Sequence, residues 1–247
     1  MSAGICAYSW IMTLIVRNLQ LVRDRITTAC VSAGRQPNSV CLVAVSKKFG
    51  TDAVLQAVSD GQRVFGENYI AEGVEKITTL KTILPAGIIL EWHCIGPVQS
   101  NKTRLVAEHF DWVQSVDRLK IAERLSEQRP ANLSPLQICI QVNIDAGATK
   151  SGVALEDAQT LAQAVSKLPR LVLRGLMAIP EPAPDFVAAC AIHARAKALF
   201  CSINSSGVLP VAMDTLSIGM TADMEAAIQA GSTMVRVGTA IFGLRSG

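Results

Sequence analysis

The sequence is poor in aromatic residues and in charge, and it has no closely paired cysteines. Aromatic residues make up 4% and charged residues 17% of the 247 residues, whereas half are hydrophobic. A net charge of +3, with no basic stripe interleaved with aromatics, argues against a nucleic-acid partner. The seven cysteines include no C-x-x-C pair, which favours reduced core thiols in a cytoplasmic protein over a disulfide framework or a metal site.

Residues 5–16 form a nearly continuous apolar stretch. The stretch is shorter than the ~20 residues that a membrane span needs. No Lys or Arg precedes it, as a signal peptide would require. It is the apolar start of a first helix, an N-terminal extension or a weak membrane contact, and we favour the first two. We therefore expect residues 1–18 to be an extension, residues 19–247 to form one domain, and the chain to have no membrane partner.

Short apolar runs alternate with segments of helical periodicity along the chain. The runs cover residues 40–46, 63–66, 88–95, 111–116, 136–144, 171–179, 215–218 and 234–237. The clearest helical patterns cover residues 51–60, 102–109, 119–128, 155–168, 186–203 and 222–230. Eight strands alternating with helices predict an α/β fold with a parallel sheet, closed as a single-domain (β/α)₈ TIM barrel. The alternative is an open, doubly wound sheet.

The first strand ends in a pair of lysines, Lys47 and Lys48, which follow Ser46. Functional residues of a (β/α)₈ barrel lie at the carboxyl ends of its strands. Apolar walls there disfavour an ammonium group, so more of the Lys47 amine would be neutral and able to form an imine. The alternative is that Lys47 marks the solvent edge of the strand.

The loops after the seventh and eighth strands contain glycines and hydroxyl groups. These two loops are the usual phosphate site of the barrel. Gly219 and Gly238 would let backbone N–H groups approach an anion, and Ser217 and Thr239 would add hydroxyls. Alternatively, the glycines only permit tight turns.

Arg236 lies at the end of the eighth strand, beside the predicted phosphate site. Its guanidinium is always charged and only donates hydrogen bonds, so it suits an acceptor such as an unprotonated pyridine nitrogen. The alternative is a salt bridge to an acid such as Glu225.

Six motifs together resemble those of the pyridoxal phosphate homeostasis protein family. In chain order they read VAVSKK, FGENY, WHCIGPVQSNK, GLMAIP, SIGMTADMEAAI and MVRVGTAIFG, and the resemblance extends from about residue 19 to residue 245. It implies a barrel like the N-terminal domain of alanine racemase. It also implies a protein that binds pyridoxal 5′-phosphate (PLP) and takes part in the homeostasis of vitamin B6, without an established catalytic reaction.

The resemblance assigns roles to particular residues. PLP would form a Schiff base on Lys47, with Asn68 near its ring oxygen and Arg236 at its ring nitrogen. Its phosphate would be held by Ser217, Gly238 and Thr239.

The sequence also departs from the family pattern. The family often has Thr-Lys-Pro after the imine lysine, whereas Lys48-Phe49-Gly50 follows here, which makes Lys48 a competing site for PLP. The family's SMGMSDDM reads SIGMTADM. Lys150, in a KSG segment, is either a transient PLP site or a solvated loop lysine.

The resemblance favours a monomeric PLP carrier, with PLP-dependent client enzymes as partners, over an enzyme. A PLP-dependent amino-acid racemase is the main alternative, and it needs acid or base groups on both faces of the cofactor. Alanine racemases supply a tyrosine from a second domain, whereas this chain has only Tyr8 and Tyr69. A barrel enzyme acting on a sugar phosphate would use the same phosphate loops but would leave Lys47 and Arg236 unexplained.

Overall fold

The structure, a computed structural model, describes residues 3–145 and 151–243, with side chains described from Leu14 onward. Eight parallel strands follow one another in chain order and close into a barrel. Closure is made by β8 on β1, with Cys41 opposite Met234 and Ala44 opposite Val237. The predicted (β/α)₈ barrel is therefore confirmed, and the open doubly wound sheet is wrong.

The elements have the following bounds. The strands are β1 Cys41–Val45, β2 Val64–Glu67, β3 Glu91–Cys94, β4 Trp112–Val116, β5 Leu136–Gln141, β6 Leu171–Met177, β7 Thr215–Ser217 and β8 Met234–Val237. The helices are α1 Ala3–Ser32, α2 Thr51–Ser59, α3 Ile70–Ile83, α4 Thr103–His109, α5 Leu119–Gln128, α6 Ala158–Val165, α7 Phe186–Ser205, α8 Met224–Gln229 and α9 Thr239–Phe242.

The strands are buried on both faces, which explains why they read as continuous apolar runs rather than alternating ones. One large cluster fills the space between the strands and the surrounding helices. A second cluster lies inside the barrel and consists of Val43, Trp112, Cys139, Met177 and Met234. Successive residues of a strand point to opposite faces, so Val43 lies in the inner cluster and Ala44 in the outer one.

The cysteines with described side chains are all free. Cys94 and Cys139 are fully buried, and burial raises the pKa of each thiol to about 12. Such thiols stay protonated and unreactive at neutral pH. Cys94 and Cys139 therefore lie in the core as predicted, whereas Cys41 is only partly buried.

Helix α1 runs without a break through the boundary predicted between residues 18 and 19. Ile15 and Leu19, on either side of that boundary, are both buried in the outer cluster. The side chain of Asn18 donates to the carbonyl of Ile241 at 3.1 Å, so the helix also contacts the end of the barrel. The part of α1 from Leu14 onward, whose side chains are described, thus packs on the barrel as one element.

Helix α7 is, among the described helices, the one long and apolar enough to cross a membrane by length and composition. Ala196, Phe200 and Ile203 nevertheless lie on a buried face of this helix. The helix contacts β6 and α8. Packing as an outer helix of the barrel therefore accounts for that apolar face.

Candidate functional site

A cavity of about 390 Å³ opens at the carboxyl end of the barrel. Its described lining comprises Val45, Lys47, Phe49, Asn68, Ile95, Ile179, Met220, Thr221, Ala222, Arg236, Gly238, Thr239 and Gly243. The volume lies within the ~300–1,000 Å³ range of small-molecule sites, and the mixture of apolar walls with a few polar groups is typical of them. Five of the six predicted site residues meet in this cavity.

Lys47 is the second residue after β1, in a turn whose flanking residues are both anchored to α3. The carbonyl of Ser46 accepts a hydrogen bond from Lys76 Nζ at 2.8 Å. The backbone N–H of Lys48 donates to Glu72 Oε1 at 2.5 Å. Because the residues on both sides of Lys47 are anchored, the turn directs its side chain to the cavity wall.

The anchor depends on an ion pair buried between β2 and α3. Lys76 Nζ lies 2.6 Å from Glu67 Oε1, and the two side chains are 4% and 0% exposed. Glu67 Oε1 also accepts a hydrogen bond from the Ser46 hydroxyl at 2.6 Å. Burial raises the pKa of Glu67, and the neighbouring Lys76 acts in the opposite direction. The sequence predicted none of these contacts, although Glu67 belongs to the FGENY motif.

Asn68 is the next residue after β2 and lines the cavity. Its Oδ1 is buried and has no hydrogen-bond partner among the described residues. The oxygen and nitrogen ends of an amide side chain are distinguished by their hydrogen-bond partners. Either end of the Asn68 amide could therefore face a ligand. A buried amide end without a partner is costly, and a polar ligand atom would relieve that cost.

Arg236 is 4% exposed and lines the cavity from β8. Its Nη1 donates to the carbonyl of Ser217 at 2.7 Å, and its Nη2 donates to the carbonyl of Ala178 at 2.9 Å. Burial lowers the pKa of Arg236 to about 10, so the group stays charged at neutral pH. The alternative salt bridge to Glu225 is wrong, because Glu225 pairs with Arg25 at 2.7 Å.

Ser217 is the predicted site residue that does not line the cavity. It is fully buried, and its hydroxyl donates to Gln114 Oε1 at 2.6 Å while accepting from Arg236 Nη1 at 2.6 Å. The side chain therefore faces the inside of the barrel and supports Arg236. Thr221, four residues further along the SIGMTADM motif, supplies a hydroxyl to the cavity lining instead, and sequence reasoning missed it.

The loop after β8 lies against β1. A Cβ atom added to Gly238 would lie 3.1 Å from the carbonyl oxygen of Val45, so a side chain would force these two strand ends apart. Gly238 and Thr239 both line the cavity. The N–H groups of Ile241 and Phe242 donate to the carbonyl of Gly238, whereas those of Thr239 and Ala240 begin α9, where the helix itself supplies no acceptor.

The loop after β7 is held by Asp223. Its Oδ1 accepts from the backbone N–H of Met220 at 2.7 Å, and its Oδ2 lies 2.9 Å from His193 Nε2 on α7. Hydrogen bonds from His193 and the Met220 backbone lower the pKa of Asp223 although its burial acts to raise it. The loop that carries Thr221 is thus fixed on both sides.

Replacing Gly219 with alanine tests how tightly this loop is packed. Gly219 has φ +95°, and an added Cβ would lie 2.5 Å from the Cβ of Ala227. We expect Gly219→Ala to lower the free energy of unfolding by about 2–4 kcal/mol, from backbone strain and overpacking together. Gly34→Ala is the matched control, because Gly34 has φ +67° with open space around it. If urea denaturation shows the same loss of unfolding free energy for both variants, the contact with Ala227 adds no cost, and Ala227 moves aside freely.

Lys48, the nearer of the two secondary lysines in sequence, is not among the described residues that line the cavity. Lys48 is exposed, with φ 65°, and its Nζ lies 5.9 Å from the centre of the Tyr69 ring. Lys150 lies outside the described residues. Its role in PLP uptake stays a prediction.

Comparison with known proteins agrees with this architecture. Residues 18–246 match the family of the alanine racemase N-terminal domain. A pyridoxal phosphate homeostasis protein of Escherichia coli K12 is 52% identical over 95% of this chain and 98% of its own length. The structure of PipY from Synechococcus elongatus with PLP bound has 32% identity and a TM-score of 0.79, covering 93% of this chain and 100% of PipY.

Alanine racemase from Corynebacterium glutamicum shares the fold at 16% identity, with a TM-score of 0.67. The alignment covers 95% of this chain but 62% of the racemase. The high identity to the homeostasis protein extends over nearly the whole of both chains, and the six motifs fall within the matched residues. This chain belongs to the pyridoxal phosphate homeostasis protein family, which shares the alanine racemase N-terminal domain.

Proposed function

We propose that this chain is a cytoplasmic PLP-binding protein of vitamin B6 homeostasis, which holds PLP as a Schiff base on Lys47. The observation that carries the proposal is the composition of the cavity. It brings one lysine, one buried arginine and two glycine-containing loops together at the carboxyl end of the barrel. The PLP bound to PipY and the printed name of the Escherichia coli relative support the same ligand.

The residues present fit the chemical groups of PLP. When bound, PLP supplies an aldehyde that condenses with a primary amine, and Lys47 is the lysine of the described lining. Asn68 offers a buried amide end to the ring oxygen, and Arg236 offers donors to the ring nitrogen. Gly238, Thr239 and Thr221 would hold the phosphate through backbone N–H and hydroxyl groups. Ser217 would act indirectly, by supporting Arg236.

The cavity lining favours carriage of PLP over racemisation. Among the described lining residues, Lys47 and Arg236 are the titratable ones. A racemase needs a second acid or base on the opposite face of the cofactor. Tyr69 is 48% exposed and its ring lies beside Lys48, so it is not placed to serve that face. Transfer of PLP to client enzymes is part of the proposal.

The absorption spectrum of the purified protein with added PLP tests the binding site. We expect an imine band, and after borohydride reduction we expect tandem mass spectrometry to find the pyridoxyl group on Lys47. Lys48→Ala should give the same band and the same adduct, because Lys48 does not line the cavity. Absence of the band, or label spread over surface lysines, would contradict the proposal.

Assays with alanine and serine separate the carrier from the racemase. The PLP-loaded protein should racemise neither amino acid at an appreciable rate, because the described lining lacks a second acid or base. Turnover of about 1 s⁻¹ or more, the low end for enzymes, would establish the racemase instead.

A further inference from the structure

A row of polar side chains crosses the inside of the barrel from the cavity to the opposite end. Four of them, His93, Gln114, Ser217 and Arg236, are at most 4% exposed. Arg236 Nη1 to Ser217 Oγ is 2.6 Å, Ser217 Oγ to Gln114 Oε1 is 2.6 Å, Gln114 Nε2 to His93 Nδ1 is 2.7 Å, and His93 Nε2 to Glu91 Oε1 is 2.8 Å. Glu91 begins β3 at the amino end of the barrel, and its side chain is 44% exposed.

The direction of each hydrogen bond follows from its neighbours. The carboxylate of Glu91 accepts, so a neutral His93 carries its proton on Nε2 and presents a lone pair at Nδ1. Gln114 must then donate from Nε2, which turns its Oε1 toward Ser217. The Ser217 hydroxyl must donate to that oxygen and accept from Arg236, which only donates. One assignment therefore satisfies the whole row, and every donor points from Arg236 toward Glu91.

The row connects a buried cation to a carboxylate at the other end of the barrel. Arg236 has no carboxylate within salt-bridge distance among the described residues, and its direct acceptors are neutral oxygens. Burial lowers the pKa of His93 although Glu91 acts to raise it, which agrees with a neutral imidazole. Hydrogen bonds that run in one direction in a low-dielectric interior polarise and strengthen one another.

The surroundings of the row hold its members in place. The ring of His93 stacks on the indole of Trp112, with centroids 4.9 Å apart and an interplanar angle of 8°. Gln114 Nε2 also contacts the sulfur of Met234 at 3.1 Å. These contacts leave Gln114 and His93 little freedom to change partners.

We propose that Gln114, His93 and Glu91 are positioning residues for Arg236, which fix the orientation of its guanidinium in the cavity wall. This inference rests on the proposed function, because it concerns the group that would meet the ring nitrogen of PLP. It goes beyond that function by extending the binding site through the barrel. None of the three residues lines the cavity.

Gln114→Met tests the inference, because methionine has a similar volume but neither donates to His93 nor accepts from Ser217. We expect the dissociation constant for PLP to rise about tenfold, since Ser217 and Arg236 lose their fixed arrangement. We also expect the imine band to shift in wavelength, because the donor at the ring nitrogen changes. Met177→Ala is the control, since it opens a cavity in the same inner cluster without removing a hydrogen bond of the row. Even if Met177→Ala lowers the melting temperature as much as Gln114→Met does, the imine band of Met177→Ala should not shift.

Glu91→Gln is the second variant, in case Gln114→Met does not fold. It lies at the partly exposed end of the row, keeps an acceptor for His93 and removes only the charge. A several-fold rise in the dissociation constant is expected, of the size of couplings between distant sites. If the wild-type protein forms no imine on Lys47, the proposed function fails. If the wild type binds PLP but both variants keep its affinity and its band, this inference alone is overturned.

Discussion

Replacing Lys47 with alanine should abolish the imine band and the borohydride-fixed label completely. Lys47 is the lysine of the described cavity lining, which also includes Asn68 and Arg236. The other contacts proposed for the ring and the phosphate do not involve its amine, so weak, non-covalent binding of PLP should persist. Titrating the variant with PLP while protein fluorescence is monitored measures the affinity of this non-covalent binding. The loss is qualitative, and it is the largest functional effect expected of a single substitution here.

Lys48→Ala is the control for this result, because it removes the neighbouring amine and leaves Lys47. Lys48 has φ 65°, a backbone conformation that side chains disfavour, and its Nζ lies near the Tyr69 ring. Because Lys48 does not line the cavity, the control should keep the imine band of the wild type. Transfer of the label to Lys48 in Lys47→Ala, at the affinity of the wild type, would contradict the assignment of the site.

Lys76→Met should cause the largest loss of stability. The substitution removes the cation from a buried pair and leaves Glu67, which is fully buried, without its partner. Breaking such a pair costs about 3–5 kcal/mol. It also releases the carbonyl of Ser46, so the turn that carries Lys47 should loosen and PLP affinity should fall. Urea denaturation and PLP titration on the same preparation measure the two effects.

The pH dependence of this loss of stability distinguishes the effect of an unpaired buried charge from the effect of lost packing. The pKa of Glu67 is already raised by burial, and loss of Lys76 raises it further. A carboxyl whose pKa is higher in the folded protein than in the unfolded chain binds more protons when folded, so stability falls as the pH rises through that range. Lys76→Met should therefore be less destabilised at pH 5 than at pH 8.

The double variant Glu67→Gln with Lys76→Met removes both charges at once. Neutral replacement of a whole buried pair is often close to neutral in stability. We expect the double variant to recover most of the loss and to show little pH dependence. An equal loss at both pH values in the single variant, with no recovery in the double variant, would show that packing rather than charge explains the effect.

The barrel was predictable because its strands are short apolar runs. Each predicted run overlaps an observed strand, and the differences lie at the ends, as in residues 136–144 against Leu136–Gln141. Helix α3 was not among the predicted helices, since its sequence mixes glycine and β-branched residues that weaken helical propensity. Burial of Ile77 and Leu80 against the barrel stabilises that helix instead, and tertiary contacts of this kind are absent from a local pattern.

The site was predictable only as far as strand ends could be located. Position in the fold was enough to indicate Lys47, Arg236, Gly238 and Thr239, all of which line the cavity. Side chains along a strand point alternately to the two faces of the sheet. A change of one residue in the register therefore reverses the direction of a side chain near the strand end. Ser217 was therefore predicted to face the phosphate although it faces the barrel interior.

The hydrogen-bond row could not be predicted, because its members are spread over four strands. Gln114 and Ser217 are 103 residues apart in the sequence, and only closure of the barrel brings them together. Neither residue has a pattern that distinguishes it from other polar residues in an apolar run. The same holds for the acceptors of Arg236, since one of them is the backbone carbonyl of Ala178.

Pairing of β8 with β1 has a consequence for biosynthesis. The register joins Cys41 to Met234 and Ala44 to Val237, so two segments far apart in the sequence must meet before the wall of the cavity is complete. Pairings of such large sequence separation form late in folding, after local contacts. Lys47 is translated well before Arg236, Gly238 and Thr239. A nascent chain therefore contains Lys47 before the eighth strand and the loop after it exist, and the described cavity lining is complete only once β8 has paired with β1.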